Sequence, residues 1–172
     1  RRHDGAAAAG NPGAGGGGCW HRAVYSTQPN VRWWGAKCDV TGTSGSKTGT
    51  DDSVAIQAGI NWAQTVGATI WLPRGAQCGA KSTLSVSASN VGIAAYNNGS
   101  QTFATGAAVS CTSYLVALSP FTGGAGGFKY NLQFYSSAFG AGSEPLTGNS
   151  VNGVCFDGNN LTQGGLLLVS VV

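Results

Sequence analysis

The sequence predicts an all-β fold, a β-solenoid whose first coil is covered by a single α-helix. Three observations predict it. Charged residues make up only 9% of the 172-residue chain and glycine occurs 29 times, which favours strands and turns over a helical bundle. One stretch has helical periodicity, and the residues after it alternate with a period of two. A sandwich or a barrel fits the short strands as well, but only a solenoid needs a cap on its first coil.

Residues 1–18 (RRHDGAAAAGNPGAGGGG) have no hydrophobic periodicity and are predicted to form a flexible arm. Residues 19–67 follow as an aromatic extended segment, a polar loop and the helix. Trp33 and Trp34 lie in the extended segment. They are candidates for carbohydrate binding by stacking, although such residues more often anchor a segment to the core. The polar loop lacks the glycine spacing of a phosphate-binding loop and is predicted to lie at the surface.

The stretch GTDDSVAIQAGINWAQ, residues 49–64, carries the helical pattern. Thr50 or Asp51 is placed to act as N-cap, and the carboxylates of Asp51 and Asp52 would lie in the first turn, where the helix dipole favours negative charge. Gly67 suits the left-handed C-terminal position. The two carboxylates are therefore interpreted as the start of a helix and not as an acid–base pair. Apolar or small residues recur at helical spacing at Ala55, Ile56, Gly59, Ile60 and Ala63.

Residues 68–172 read as the first coils of the solenoid. Short runs of alternating apolar residues are separated by Asn, Gly or Ser, and no second helical pattern interrupts them. At roughly 20–25 residues per coil, this length predicts four or five coils. The last run, LLLVSVV, is apolar and has no polar cap after it. We therefore expect a solenoid that is truncated at its C-terminal end.

The segment VRWWGAKCDVTGTSGSKTGTDDSVAIQAGINWAQTVGATIWLPRG, residues 31–75, resembles the opening of the pectate-lyase-like right-handed parallel β-helix superfamily. That pattern runs Phe-Gly-Ala-x-Gly-Asp-Gly, Thr-Asp-Asp-Thr, Ala-Ile-Gln-x-Ala-Ile and Leu-Pro-x-Gly. Trp34 and Cys38 depart from it, and an insertion precedes Thr50. A shorter phrase, NGVCFDGNN, resembles a coil-and-turn motif of the same superfamily. The matching positions are Gly35, Ala36, Asp39, Thr50, Asp51, Asp52, Ala55, Ile56, Gln57, Ile60, Leu72, Pro73 and Gly75.

The resemblance implies a right-handed single-stranded parallel β-helix with an N-terminal capping helix. It leaves the activity open, because the signature belongs to the cap and the first coil. Glycan-cleaving members carry pairs of Asp and Glu on their middle coils. The acidic residues after the helix are Glu144 and Asp157, which makes them the catalytic candidates, although a loop role for Glu144 and a turn role for Asp157 are commoner. Any active site of a lyase or hydrolase is expected mostly outside this segment.

The five cysteines, Cys19, Cys38, Cys78, Cys111 and Cys155, are widely spaced and form no Cys-x-x-Cys motif. We therefore expect no zinc site and no other metal or cofactor. One disulfide such as Cys38–Cys78 is possible, but the odd count favours small apolar residues on β faces.

The distribution of charged and of apolar residues argues against two kinds of partner, nucleic acids and membranes. The nine basic residues are scattered singly, so no nucleic-acid surface is expected. No apolar stretch has the length of a membrane span, so no membrane insertion is expected. The first residues also lack the apolar core of a signal peptide.

The resemblance is closest to phage tailspike and tail-fibre members. It implies a virion protein whose arm binds other tail proteins and whose β-helix, a homotrimer, binds or degrades cell-surface polysaccharide. Unpaired cysteines, as expected for cytoplasmic assembly, would agree with it. A secreted polysaccharide lyase or glycoside hydrolase is the first alternative. A non-catalytic structural or adhesive β-helix is the second.

Overall fold

The computed structural model describes residues 2–3, 19–20, 28–95, 113–124, 127–135 and 146–169. Two short strands, β1 (Arg2–His3) and β2 (Cys19–Trp20), pair antiparallel. A 3-10 helix, η1 (Val31–Trp34), and an α-helix, α1 (Ser53–Val66), follow. The other strands are β3 (Thr69–Leu72), β4 (Gln77–Ser82), β5 (Leu84–Val86), β6 (Gly92–Ala95), β7 (Tyr114–Thr122), β8 (Tyr130–Tyr135), β9 (Ser150–Asn152), β10 (Cys155–Asp157) and β11 (Gly164–Val169).

Strands β3 to β11 form three parallel sheets of three strands each, in the orders β3-β6-β9, β4-β7-β10 and β5-β8-β11. Each strand therefore pairs with the third strand after it along the chain. The fold class is confirmed as mostly strands in parallel sheets with one α-helix among the described residues.

The number of strands in each sheet differs from the expected four or five coils. The described residues contribute three strands to each sheet, because paired strands lie further apart in sequence than 20–25 residues at most places. Gln77 pairs with Tyr114, and Leu84 pairs with Leu132. The stretches of sequence between these paired residues are longer than one coil of roughly 20–25 residues.

The chain turns in the same way before each strand of the first sheet. Gly67, Asn90 and Gly148 precede β3, β6 and β9 with φ angles of 63°, 61° and 68°. Glycine adopts this left-handed conformation without steric cost, and Asn is one of the few other residues that tolerate it. The Asn90 amide donates to the Thr147 carbonyl over 2.8 Å, which joins two successive corners.

Alternate residues of the strands fill one apolar core that takes side chains from all three sheets. Ile70 and Leu72 of β3, Leu84 and Val86 of β5, and Phe134 of β8 are at most 1% exposed. Side chains of successive strands lie in register, so that the core consists of stacks such as Ile70, Ile93 and Val151. Burial of these stacks stabilises the fold by about 1.5–3 kcal/mol for each fully buried aliphatic side chain.

Helix α1 covers one end of this core. Ile56, Ile60 and Ala63 on its inner face are at most 1% exposed, and the helix packs on β3, β4 and β5, the first strand of each sheet. The predicted helix and its C-terminal glycine are confirmed, since Gly67 is left-handed and its amide bonds to the Ala63 carbonyl.

The predicted N-cap is wrong by one or two residues. Asp52 is the N-cap, its side chain makes no capping hydrogen bond, and the first turn contains no acidic residue. The reason is a contact with β4. Asp51 forms a parallel bridge to Gly79, and the Asp52 amide donates to the Gly79 carbonyl over 2.7 Å. These two residues are bound to a strand before the helix begins.

The favoured interpretation of the cysteines as unpaired is wrong for three of them, and the alternative of a Cys38–Cys78 bridge is confirmed. Cys38 and Cys78 form a disulfide across 40 residues of sequence, and Cys155 is disulfide-bonded too. The first bridge ties the segment before α1 to β4. By the chain-entropy model, closing a loop of this length contributes about 4 kcal/mol.

Candidate functional site

Asp157, the first catalytic candidate, lies at the end of β10 and is surrounded by donors. Its carboxylate is 2.8 Å from Lys47 Nζ. It also accepts hydrogen bonds from Ser44 Oγ (3.1 Å) and from the Asn159 amide (2.8 Å). The Lys47 and Asp157 side chains are only 8% and 13% exposed. We call Ser44, Lys47, Gln77, Asp157 and Asn159 the Lys47–Asp157 cluster.

Lys47 connects the polar loop to all three strands of the β4-β7-β10 sheet. Besides Asp157 of β10, its ammonium donates to Gln77 Oε1 of β4 over 2.7 Å. The same ammonium lies 4.9 Å from the centre of the Tyr114 ring at the start of β7, a cation–π distance. One side chain therefore bridges three strands through three different contacts.

Asn159 fixes the backbone of the same loop. Its Oδ1 accepts from the Lys47 amide, and its Nδ2 donates to the Lys47 and Ala117 carbonyls, each over 3.1 Å. Asn159 is 6% exposed; its bond to the Ala117 carbonyl is buried, and its two bonds to Lys47 are partly buried. The loop is held at a fixed position on the sheet.

A small second core lies beneath this loop, on the face of the sheet opposite the main core. Val40, Val116 and Leu118 are at most 5% exposed and contact the half-buried Tyr114. Gly79 lies at the same place, and no larger residue fits there, because a Cβ would overlap Leu118 Cδ1 and come within 2.8 Å of the Thr50 carbonyl oxygen. The polar loop therefore covers part of the outer face of this sheet.

The contacts of Asp157 favour a structural role over acid–base chemistry. Partial burial acts to raise the pKa of Asp157, but hydrogen bonds from Lys47, Asn159 and Ser44 outweigh it and hold the pKa below its usual value. A general acid at neutral pH needs the opposite shift. A catalytic role for Asp157 remains a prediction. Glu144, the second candidate, lies outside the described residues.

The paired carboxylates before α1 bind backbone amides. Asp52 is 2% exposed and accepts hydrogen bonds from the Lys37 amide (2.8 Å) and the Cys38 amide (2.9 Å). Asp51 accepts from Ser53 and from the Lys81 amide. The two side chains thus join the preceding segment and β4 to the start of the helix.

Asp52 also lies beside the two sulfurs of the disulfide. Ligand atoms of Cys38, Asp52 and Cys78 are within 4.8 Å of one another, a spacing that could hold a metal ion. The sulfurs are bonded to each other, and a metal would require two thiolates in their place. In the disulfide form this group has a structural role.

Trp34, one of the two carbohydrate-binding candidates, packs on α1. Its ring centre lies 5.5 Å from that of Trp62, and its Cε3 would be 3.0 Å from a Cβ at Gly59. These contacts attach η1, which contains Trp34, to helix α1. Trp33 is half-buried in η1. Carbohydrate binding by either residue remains a prediction.

An exposed aromatic group that sequence reasoning missed lies at the start of β8. Phe128 is 49% exposed, and its ring centre is 6.5 Å from that of Tyr130 at an angle of 57°. Lys129 between them is exposed. We call Phe128, Lys129 and Tyr130 the aromatic corner. The sequence signal is FKY after the glycines that end at Gly127.

The backbone of the aromatic corner is fixed by hydrogen bonds. The Phe128 carbonyl accepts from the Gly124 amide over 2.9 Å. The Lys129 amide donates to Gln163 Oε1 over 3.1 Å, and its carbonyl accepts from the Gln163 amide over 2.7 Å. Because the backbone is already fixed, only side-chain rotation of Phe128 would be lost if its ring stacked on the apolar face of a ligand.

The fold is shared with a solved phage protein. That protein is ORF18 of Geobacillus virus E2, with a TM-score of 0.57 and 20% sequence identity. The match covers 84% of this chain but only 24% of that protein. No family model and no curated protein matches the sequence. No helix of the described residues has the length and hydrophobicity needed to cross a membrane.

Proposed function

We propose that the three sheets are the faces of a right-handed single-stranded parallel β-helix of the pectate-lyase-like kind, and that α1 caps its first coil. The pairing of every strand with the third strand after it supports this arrangement, as does the single core shared by the three sheets. The right hand follows from the chirality of parallel crossovers, which is right-handed in about 98% of cases.

We propose that the chain is the N-terminal part of a phage tailspike-like or tail-fibre-like protein that binds or degrades host surface polysaccharide. The observation that carries the proposal is the fold shared with a phage protein of greater length. Residues 1–18 would attach to other tail proteins, and the β-helix would assemble as a homotrimer. The site of action would then be the virion.

Among the residues that the structure describes, the aromatic corner is the surface best suited to a sugar. Phe128 presents an apolar ring of the kind that stacks on the C–H face of a pyranose, and Lys129 presents a cation to acidic substituents. Trp33 and Trp34 remain further candidates. A catalytic centre of either lyase or hydrolase type would lie mostly outside this segment, since Asp157 is bound by Lys47.

The test is binding to a panel of purified bacterial capsular polysaccharides and O-antigens, measured by calorimetry. Phe128→Ala should weaken binding of the recognised glycan by about 2–10-fold, the value of one aromatic contact. The matched control is Val66→Ala, which removes an apolar side chain that is 58% exposed at the end of α1, and it should leave the affinity unchanged. No binding across the panel would contradict the proposal.

The disulfides favour a second candidate, a secreted polysaccharide lyase or glycoside hydrolase. Cys38–Cys78 and the bridge that includes Cys155 are typical of proteins that fold in oxidising compartments. Mass spectrometry of purified virions and of culture medium distinguishes the two locations.

Release of unsaturated sugar ends from the bound polysaccharide would identify a lyase, and release of reducing ends alone would identify a hydrolase. Binding without release would favour an adhesive β-helix.

A further inference from the structure

A cleft lies between α1 and the corner at which β4 leads into β5. Its volume is about 400 Å³, which falls in the range of roughly 300–1,000 Å³ that is typical of small-molecule sites. Helical residues three or four positions apart form one wall, because that spacing places them on one face. The corner forms the other wall. We define the cap cleft by six of the residues that line it, namely Val54, Gln57, Ala58, Asn61, Ser82 and Thr83.

The polar groups of the helical wall are fixed by hydrogen bonds. The Gln57 side chain accepts from the Ser85 amide and donates to the Ser85 carbonyl, each over 2.9 Å. It also donates to Asn61 Oδ1 over 2.9 Å, and the Gln64 side chain donates to the same oxygen over 3.3 Å. The wall therefore keeps its shape without a ligand, so that binding requires little ordering of these side chains.

Two polar groups of the cap cleft make no hydrogen bond within the part of the chain that the structure describes. They are Asn61 Nδ2 and the Ser82 hydroxyl. The Nδ2 group offers two donors, and the hydroxyl both donates and accepts. Val54, which is 84% exposed, and Ala58 add apolar surface beside them. The cap cleft therefore offers polar and apolar contacts side by side.

The described residues that line the cap cleft include no charged side chain. A charged ligand would lose water there without gaining an ion pair. An uncharged ligand with hydroxyl groups gains hydrogen bonds from Asn61 and Ser82, and its C–H groups can contact Val54. A neutral pyranose has this chemistry, because it carries hydroxyl groups at its rim and C–H groups on its faces.

Thr83 connects the cap cleft to the aromatic corner. Its Oγ1 lies 3.5 Å from the Phe128 carbonyl oxygen and 3.4 Å from the Tyr130 amide nitrogen. Ser82 pairs with Thr122 of β7, and paired strands lie about 4.8 Å apart. A ligand with more than one sugar unit can therefore contact the cap cleft and the aromatic corner together.

We propose that the cap cleft binds one uncharged sugar unit of a glycan whose neighbouring unit stacks on the aromatic corner. The inference rests on the proposed function, and it adds a second contact site and the class of unit that is bound there. Lys129 of the aromatic corner is an exposed cation, whereas the cap cleft is uncharged. The recognised glycan therefore has an acidic unit next to a neutral one.

Nuclear magnetic resonance of the isotope-labelled protein tests the cap cleft directly. The neutral probes are the methyl glycosides of glucose, galactose, mannose and N-acetylglucosamine. At least one of them should shift the side-chain amide signals of Asn61 and the backbone amide signal of Ser82 in a saturable way. Glucuronate, the charged probe, should shift the Lys129 amide signal and not those of the cap cleft. The proposal is overturned if no neutral probe shifts the Asn61 and Ser82 signals, or if glucuronate shifts them equally.

Asn61→Asp keeps the oxygen that accepts from Gln57 and Gln64 but replaces the NH₂ group with a carboxylate oxygen. It should weaken binding of the neutral glycoside by about 2–10-fold, the value of one hydrogen bond. The matched control is Thr65→Asp, which adds the same charge at an exposed position of α1 outside the cap cleft and should leave the affinity unchanged. Equal losses would count against the proposal. If Asn61→Asp does not fold, Ser82→Ala decides, with the same expected loss.

The same variants separate this proposal from the proposed function. For a polysaccharide that the protein binds, Asn61→Asp should weaken binding as Phe128→Ala does. Unchanged polysaccharide binding would overturn the role of the cap cleft and leave glycan binding intact. Saturable shifts at Asn61 with a neutral glycoside, without binding to any polysaccharide of the panel, would support neutral-sugar binding in the cap cleft and contradict the proposed function.

Discussion

At the scale of single residues, the carboxylates that the structure describes act mainly as acceptors for backbone amides. Asp39, Asp51 and Asp52 each accept at least one amide hydrogen bond from a residue in a neighbouring segment or turn. In a chain with only six acidic residues, these contacts fix the path of the backbone before α1. Asp51 and Asp52, the adjacent carboxylates that resemble a catalytic pair in the sequence, join backbone segments in the structure.

Asp52→Asn should destabilise the fold more than Asp51→Asn. Asp52 is 2% exposed and uses one oxygen for each of two amides. The asparagine NH₂ group would face one of these donors, leaving it unsatisfied at a cost of about 1–3 kcal/mol. Denaturant unfolding of both variants measures the difference. Equal losses of unfolding free energy in the two variants would contradict the prediction that burial makes Asp52 the more important residue.

Asp157 should contribute to stability at neutral pH and lose that contribution in acid. Its pKa in the folded protein lies below the usual value, since hydrogen bonds from Lys47, Asn159 and Ser44 outweigh the effect of burial. The contribution is therefore complete above the unfolded pKa of about 3.9 and is lost as the pH falls through the lower folded pKa. Unfolding of the wild type and of Asp157→Asn between pH 7 and pH 2 measures it.

The Asp157→Asn variant should be about 1–3 kcal/mol less stable at pH 7 and should lose less stability in acid than the wild type does. Asp39→Asn is the control, because Asp39 is an exposed carboxylate whose pKa is also lowered, chiefly by the Thr50 hydrogen bonds. Its effect should be smaller. Parallel pH profiles for the wild type and Asp157→Asn would refute the assignment.

At the scale of elements, the segment before α1 is attached to β4 by both covalent and hydrogen bonds. The Cys38–Cys78 disulfide lies close to the contacts of Asp51 and Asp52 with Gly79 and Lys81. Helix α1 is therefore fixed on the first strands by the disulfide and hydrogen bonds of the segment before it, in addition to the packing of its own apolar face.

Replacing Cys38 and Cys78 together by Ala should lower the free energy of unfolding by about 2–4 kcal/mol, since the unfolded chain regains the freedom of a long loop. Both positions are buried, and alanine suits them because its side chain has no polar atom. Thermal unfolding with and without dithiothreitol measures the effect. A double variant as stable as the oxidised wild type would contradict it.

At the scale of the whole molecule, the proposed trimer rests on the resemblance to phage tailspike proteins, and the mass of the protein in solution tests it. Light scattering coupled to gel filtration should give three times the 17.2 kDa chain mass, or three times that of the complete protein. The mass should not fall on dilution to micromolar concentration. A stable monomer would count against a spike and favour the secreted enzyme.

Local patterns were sufficient to predict the helix and the strand-rich remainder. Ile56, Ile60 and Ala63 recur every three or four residues, and that spacing alone places them on one helical face. The N-cap was missed because its position depends on hydrogen bonds with Gly79, which lies in a different element. Contacts between distant segments leave no local pattern to read.

The sequence by itself determined that short strands follow one covering helix, because periodicity and turn residues act over a few neighbouring positions. The parallel pairing of the strands was implied only by the resemblance of residues 31–75 to a known superfamily. The tertiary structure decided the rest. It paired Cys38 with Cys78, joined Lys47 to Asp157, placed Phe128 in solvent and left Leu168 half uncovered. Each of these depends on which strands become neighbours in space, and that is set by the register of the whole sheet and not by any short stretch of the chain.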